Sequence, residues 1–283
     1  MLPPHFNKQR HKELLRMALW EGQMSRRRVI QALGATAIRA SQRIRELRDE
    51  LPHWFSWDSK TRSYLTTAIA YQEAEKDLVS EDSDLQLSAY LAESDIYPDL
   101  AAKAGQVSIA PWGFSQVKPY IFSRLRLAID GAQRIELIYR SMRHPEPHVR
   151  TVEPHSIVKA GRRWHLRGYC LEVQGYRDFV LGRIVRATVL SEASLTTADE
   201  DLEWSQIVPV RLQAHPGLNE GQREVVGMEC FEGAAARILR CRGALVPYLV
   251  QELRLATNLE RDHPPEFQLA VENIEEVSKW LFP

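Results

Sequence analysis

No apolar run in the 283-residue sequence approaches the ~20 residues that cross a bilayer, so no membrane-spanning helix is expected. The opening stretch, MLPPHFNKQRHKELLRMALW, has neither a continuous apolar core nor a small-residue cleavage site, which argues against a signal peptide. Cysteine is scarce: Cys170, Cys230 and Cys241 lie far apart and form no paired framework. That scarcity fits a reducing cytoplasm. No Gly-x4-Gly-Lys-Ser/Thr loop is present to cradle phosphates, and no Gly-x-Ser-x-Gly elbow to present a nucleophile. His144, His148, His155 and His165 fall within 22 residues, but Pro145 and Pro147 make the His144–His148 segment a loop. No cysteine or acidic cluster completes a four-ligand set around them. No cofactor and no metal is therefore expected, and the chain reads as a non-enzyme.

Net charge is absent too: 37 Lys/Arg balance 37 Asp/Glu. The zero hides a pattern. Residues 1–65 carry 13 Lys/Arg against 6 Asp/Glu, a net of +7, and residues 66–130 carry 5 against 10, a net of −5. Residues 131–190 carry 11 against 5, a net of +6, and residues 191–283 carry 8 against 16, a net of −8. Two basic modules alternate with two acidic ones. A basic module inside a neutral protein points to a local polyanion site, since phosphates are held by clustered Lys/Arg. The length exceeds what one core usually holds, so two or three domains are expected.

Along the first module, residues 7–21 read as a helix, with Asn7 as N-cap and Leu14, Leu15, Ala18 and Leu19 at helical spacing. Ser25 caps a short second helix, RRRVIQAL, which Gly34 closes. After a tight turn, Thr36 caps a third helix from about Ala37 to Leu51, with an apolar stripe of Ala40, Ile44, Leu47 and Leu51. Two short aromatic strands around Asp58-Ser59-Lys60-Thr61-Arg62 then read as a β-hairpin. Helix, helix, turn, helix and charged hairpin are the parts of a winged helix-turn-helix. Its third helix would enter the major groove, with Arg39, Ser41, Gln42, Arg43 and Arg45 off the stripe as candidate readers of base edges. Arg39, Ser41, Gln42 and Arg43 are the first choices. Ile38 also points away from the stripe and could touch a thymine methyl. Arg26, Arg27 and Arg28 suit phosphates at the start of the second helix, beside the caps Ser25 and Thr36, and Lys60 and Arg62 suit backbone or minor groove.

Residues 67–105 look mostly helical, and residues 119–131 form another helix. From about residue 133 the period shortens to two. Ile135–Tyr139, His155–Val158, Trp164–Cys170 and Phe179–Ile184 predict a small β-barrel or sandwich. Residues 196–205 are polar and acidic, like a linker. Beyond it, strands over Glu224–Cys230 and Phe267–Val271 are expected with helices over Gly233–Arg240, Val246–Arg254 and Ile274–Leu281, a small α+β domain.

IELIYRSM, VEPHSIVKAGRRWHLRGYC and YRDFVLGRIVRA together resemble the WYL domain of bacterial transcriptional regulators. Trp164-His165-Leu166 stands where that family has its Trp-Tyr-Leu triplet, and Arg177, Phe179, Leu181, Arg183 and Ile184 follow its next-strand pattern. The segment SRRRVIQALGATAIRASQRIRELRDELPHWFSWDSKTRSYL is similar to one branch of these regulators, the BrxR-like winged-helix, WYL and WCX repressors encoded beside BREX and CBASS phage-defence systems. The resemblance implies an α+β multidomain chain: a winged helix at 1–66, a helical linker and dimerisation region at 67–130, a WYL Sm/SH3-like barrel at 131–195, and a WCX-like dimerising extension at 196–283. It further implies a homodimer on an inverted repeat of double-stranded operator DNA, repressing its own or a neighbouring operon. An anionic ligand, a nucleotide or nucleic acid, would occupy a WYL pocket matched here by Tyr139, Ser141, Trp164, His165, Arg167, Arg177, Phe179 and Arg183. Arginine forks and aromatic faces suit phosphates and bases. Two departures bear on ligand identity: His165 replaces the motif tyrosine, and Gly182 replaces an acidic residue. A structural role stays open for each: barrel core for Trp164, Leu166, Phe179 and Leu181, structural ion pairs for Arg177 and Arg183, and a satisfied surface histidine for His165. Other readings stay open: an activator of the same architecture, an RNA-binding or interaction module, and a metal-dependent nuclease, whose activity a chelator would abolish.

Overall fold

Local capping sets the N-terminal elements. In the computed structural model, which describes residues 8–78, 90, 117–161 and 163–282, helix α1 (Lys8–Glu21) is followed by β1 (Gln23–Met24) and α2 (Arg26–Leu33). The Ser25 hydroxyl accepts from the Arg28 backbone N–H at 3.2 Å, and Gly34 ends α2 in the left-handed region at φ 57°. Helix α3 (Ala37–Glu50) starts where Thr36 Oγ1 accepts from the Arg39 N–H. Its buried residues are Ala40, Ile44 and Leu47, the expected stripe. Strands β2 (Phe55–Asp58) and β3 (Ser63–Thr66) complete a three-stranded antiparallel sheet in the order β1-β3-β2. Asn7, the expected cap of α1, lies outside the described residues, as does most of the expected helical linker beyond α4 (Ala68–Leu78).

Helix α5 (Pro119–Asp130) carries proline in its first turn, where no N–H is needed. It buries Ile121, Phe122, Ser123, Leu125 and Ala128 and lies between α1 and a five-stranded antiparallel sheet. Gly22 is required at this crossing. It sits at φ 74°, and a Cβ there would stand 3.0 Å from the Cβ of Ser123. The sheet comprises β4 (Gln133–Tyr139), β5 (His148–Ala160), β6 (Arg163–Cys170), β7 (Gly175–Val180) and β8 (Ile184–Ala193). Its order is β7-β6-β5-β4-β8. The expected Sm/SH3-like barrel is corrected here: among the described residues β7 and β8 do not pair, so the sheet stays open. The long β5 explains the bent form. Its first half pairs with β4 and its second with β6, with a register shift between Pro154 and Ser156. A 3-10 turn at Leu181–Arg183 then carries the chain from one edge to the other.

The last unit has its own core of Val208, Val210, Leu212, Val226, Phe231, Val246, Leu255, Val271 and Val277. It contains α6 (Leu202–Ser205), β9 (Ile207–Ala214), α7 (Glu220–Phe231), β10 (Ala236–Arg242), α8 (Val246–Glu252), β11 (Leu255–Ala256), β12 (Leu269–Val271) and α9 (Ile274–Val277). The sheet order is β10-β9-β12-β11. Two expectations reverse. Glu224–Cys230 is helical, not a strand, because a reciprocal capping box between Asn219 and Gln222 starts α7 and outweighs the β-preference of Val225 and Val226. Residues Ala236–Arg240 form a strand, not a helix, because β10 pairs with β9 along all seven of its residues. Helix formation by the alanines yields to that ladder. No helix among the described residues is long and apolar enough to cross a membrane.

Candidate nucleic-acid interface and ligand face

The open side of α3 is set by its stripe. With Ala40, Ile44 and Leu47 inward, Ile38, Ser41, Gln42 and Arg45 lie at i, i+3, i+4 and i+7 on the opposite face. They join Ala37 and Arg26 of α2 around a shallow concavity of roughly 430 Å³. Arg26, Arg27, Arg39 and Arg45 are exposed, and no ion pair engages them among the described residues. Gln42 donates to Glu46 at 3.1 Å, and Glu46 also meets Arg10 of α1 at 2.8 Å.

Two of the expected contacts are committed elsewhere in the free protein. Arg43 lies on the flank of α3 near the stripe, and its guanidinium donates to the backbone carbonyl of Arg10. Arg28 clamps Glu21 with three hydrogen bonds of 2.7–3.0 Å, tying the start of α2 to the end of α1. The Glu21 carboxylate holds that guanidinium above its ordinary pKa.

The hairpin is braced onto α3. Arg48 donates to the Tyr64 hydroxyl at 2.8 Å and lies 4.7 Å over its ring, while Trp57 packs against the same ring at 4.8 Å in a tilted arrangement. In the turn, the Asp58 carboxylate accepts from the N–H groups of Lys60 and Thr61 and from the Thr61 hydroxyl, which lowers its pKa. Lys60 and Arg62 remain exposed at the tip, Arg62 at φ 52°. The brace was invisible in the sequence: Arg48 follows the stripe by one position and carries no pattern of its own.

The expected ligand residues divide between two faces of the sheet. Trp164 meets Phe122 of α5 edge-on at 6.0 Å, and Phe122 in turn meets Trp20 of α1 at 5.7 Å. Phe179 is buried against Tyr139 at 5.2 Å, and the Tyr139 hydroxyl accepts from the Val180 N–H. His165 and Arg167 face the C-terminal unit instead. Arg167, 3% exposed, pairs bidentately with Asp201 at 2.6 and 3.0 Å, with Glu203 at 2.8 Å and with Asp178 at 3.2 Å. Burial pulls the Arg167 pKa down, but these carboxylates more than offset it and raise it. Burial likewise pushes the Asp201 carboxyl up, yet Arg167, His155 and the Trp204 N–H hold it below the ordinary value. The Tyr248 hydroxyl donates to Asp178 at 2.8 Å, and burial with that negative neighbour keeps it protonated. His165 stacks on Tyr248 at 4.8 Å, its Nδ1 buried without a partner. Burial lowers its pKa, Asp178 opposes that, and the charges of Arg163 and Arg183 add to the lowering. Arg177 is exposed, its guanidinium donating to the Tyr176 carbonyl, and Ser141 accepts from the His144 N–H in an exposed loop. Asp201, Tyr248 and Arg163 gave no sequence signal, and His155 stood out only as one of a cluster of histidines, because their roles depend on contacts made by distant segments.

Two family models match this chain: the WYL domain over residues 120–189, and the BrxR transcriptional regulator C-terminal dimerization domain over residues 207–277. A DNA-binding transcriptional repressor CapW from Escherichia coli (strain KTE188) is 28% identical over 261 residues, covering 91% of this chain and 86% of that protein. CapW of Pseudomonas aeruginosa is 28% identical with the same coverage. That of Stenotrophomonas maltophilia is 34% identical over 54% of this chain and 52% of its own. By these matches the chain is similar to the CapW DNA-binding transcriptional repressors over most of its length, with a match to the WYL domain followed by one to the BrxR C-terminal dimerization domain.

Proposed function

We propose that the chain is a homodimeric repressor that binds an inverted repeat of operator DNA through a winged helix-turn-helix spanning α1 to β3, and that it regulates a phage-defence operon. The observation carrying this reading is the open face of α3: exposed arginines with no ion-pair partner among the described residues flank Ser41, Gln42 and Ile38, opposite the helix's buried stripe. The major groove admits one helix, arginine suits guanine, and glutamine suits adenine. Arg26, Arg27, Lys60 and Arg62 hold the backbone, and the Arg48–Tyr64 brace fixes the hairpin against α3. Self-association runs through the segment that matches a dimerization domain.

The β-sheet unit, in the same proposal, receives an anionic ligand, a nucleotide or nucleic acid. The unpartnered Nδ1 of His165, with Arg163 and Arg183 nearby, supports this, together with the exposed Arg177. Arg167 serves that face through its carboxylate partners rather than as a free cation. Ligand that releases DNA must itself bind the DNA-bound dimer more weakly.

Fluorescence anisotropy on duplex from the gene's own upstream region, over a salt series and against scrambled duplex, tests the reading. Saturable binding that prefers the native duplex and falls roughly 10³-fold between 50 and 200 mM salt is expected. Equal binding to scrambled duplex overturns the operator claim.

A further inference from the structure

Ile38 is 82% exposed, more than any other large hydrophobic side chain described. It stands in the second position of α3, centred on the face opposite Ala40, Ile44 and Leu47. There it gains nothing from burial in the free protein, and a β-branched residue adds nothing to helix propensity. Its surroundings are polar and cationic: Arg26, Ser41, Gln42 and Arg45 line the same concavity. An apolar tip ringed by cations and amides complements the one surface that is both polyanionic and dotted with methyl groups. In the major groove, the apolar feature on a base edge is the C5-methyl of thymine.

We propose that Ile38 is a specificity-determining residue that packs on a thymine 5-methyl in each operator half-site, while Gln42 and Arg45 read the neighbouring base pairs. The proposal rests on the DNA-binding reading above and adds to it a base identity at one position. Thymine differs from uracil by that methyl alone, so replacing one by the other removes the contact without disturbing base pairing.

The experiment uses the full chain and a duplex selected from a random-sequence pool by repeated rounds of binding. Each thymine is replaced in turn by uracil, and the dissociation constant is measured for the wild-type protein and for Ile38→Ala. One thymine per half-site is expected to be sensitive: about fourfold weaker binding for one replaced methyl and about fifteenfold for both half-sites. Ile38→Ala is expected to bind thymine and uracil duplexes equally, the signature of a shared contact in a double-mutant cycle. Because Ile38 is exposed, the alanine variant keeps the core intact, and its thermal melt should match the wild type. A selected duplex with no methyl-sensitive thymine overturns the proposal, as does a sensitivity that persists in Ile38→Ala. If no duplex is enriched at all, the DNA-binding reading itself falls, a result distinct from tight binding that ignores the methyl.

Discussion

The β-sheet unit is joined to its two neighbours by seams of opposite chemistry. Toward the N-terminal unit the seam is apolar: Trp20, Phe122 and Trp164 meet edge to face, and one continuous core runs from α1 through α5 into the sheet. A few neutral hydrogen bonds accompany it: a buried one between the hydroxyls of Tyr71 and Ser123 at 2.7 Å and a half-buried one from Tyr120 to the Ala187 carbonyl at 3.1 Å. Toward the C-terminal unit the seam is a polar network, buried at Arg167 and Asp201, continued by His155, Asp178 and Tyr248 and reaching solvent at Glu203, and that unit's core is separate. Apolar packing is tolerant of salt and pH and behaves as one body. A buried ionic network is conditional: satisfied, it fixes one geometry, and broken at one member it leaves uncompensated charge. Under the proposed function, a signal at the sheet would thus reach the N-terminal unit through a rigid joint, and the C-terminal joint would be the one to switch.

The largest expected effect tests the polar seam. Asp201→Ala strips Arg167 of its bidentate partner and also removes the acceptor for His155 and the Trp204 N–H. A loss of about 3–5 kcal/mol in urea unfolding is expected. A loss under about 1 kcal/mol would show that Glu203 and Asp178 suffice, and the contrast between seams would fail. Next comes the apolar seam. Phe122→Ala opens a cavity between two tryptophans and is expected to cost about 3 kcal/mol. This loss should be the same at low and high salt, and a strong salt dependence would place charge where the structure places aromatic rings.

That contrast also divides what the sequence made legible. The stripe of α3, the caps Ser25 and Thr36 and the left-handed Gly34 depend on neighbours within a few residues, and all were readable. The partners of Arg167 were not, since Asp201 lies 34 residues away on a segment that reads as a polar linker. Trp164 was readable as apolar, but its choice of Phe122 over a ligand follows from α5 crossing the sheet. The split of adjacent Trp164 and His165 onto opposite faces is strand alternation, yet which face met which neighbour was a tertiary fact. In the C-terminal unit, β-branched valines in α7 and alanines beside β10 pointed the wrong way, because a capping box and a strand ladder outweighed propensity.

A smaller effect sharpens the polar side. Tyr248→Phe removes one donor to Asp178, which keeps Arg167, so a loss of about 1–2 kcal/mol is expected in the same unfolding assay. No loss would mean that the hydroxyl is dispensable and the seam narrower than drawn.

The smallest effect is a pH slope. Burial lowers the pKa of both His155 and His165, against the opposing pull of Asp201 on the first and Asp178 on the second. A histidine with a depressed folded pKa is neutral in the fold but charges readily once unfolded. Its contribution is therefore full above the ordinary value near 6.5 and is lost as pH falls below it. Wild-type stability should decline from about pH 7 toward pH 5, before the carboxylates titrate. His165→Phe keeps the ring on Tyr248 and cannot take a proton, so its decline should be shallower, leaving the share owed to His155. The slope of Phe122→Ala should match wild type, because no titrating group lies in the aromatic contact of Trp20, Phe122 and Trp164. If instead Phe122→Ala flattens the slope and His165→Phe does not, the proton-sensitive joint is the N-terminal one, and the two seams have exchanged roles.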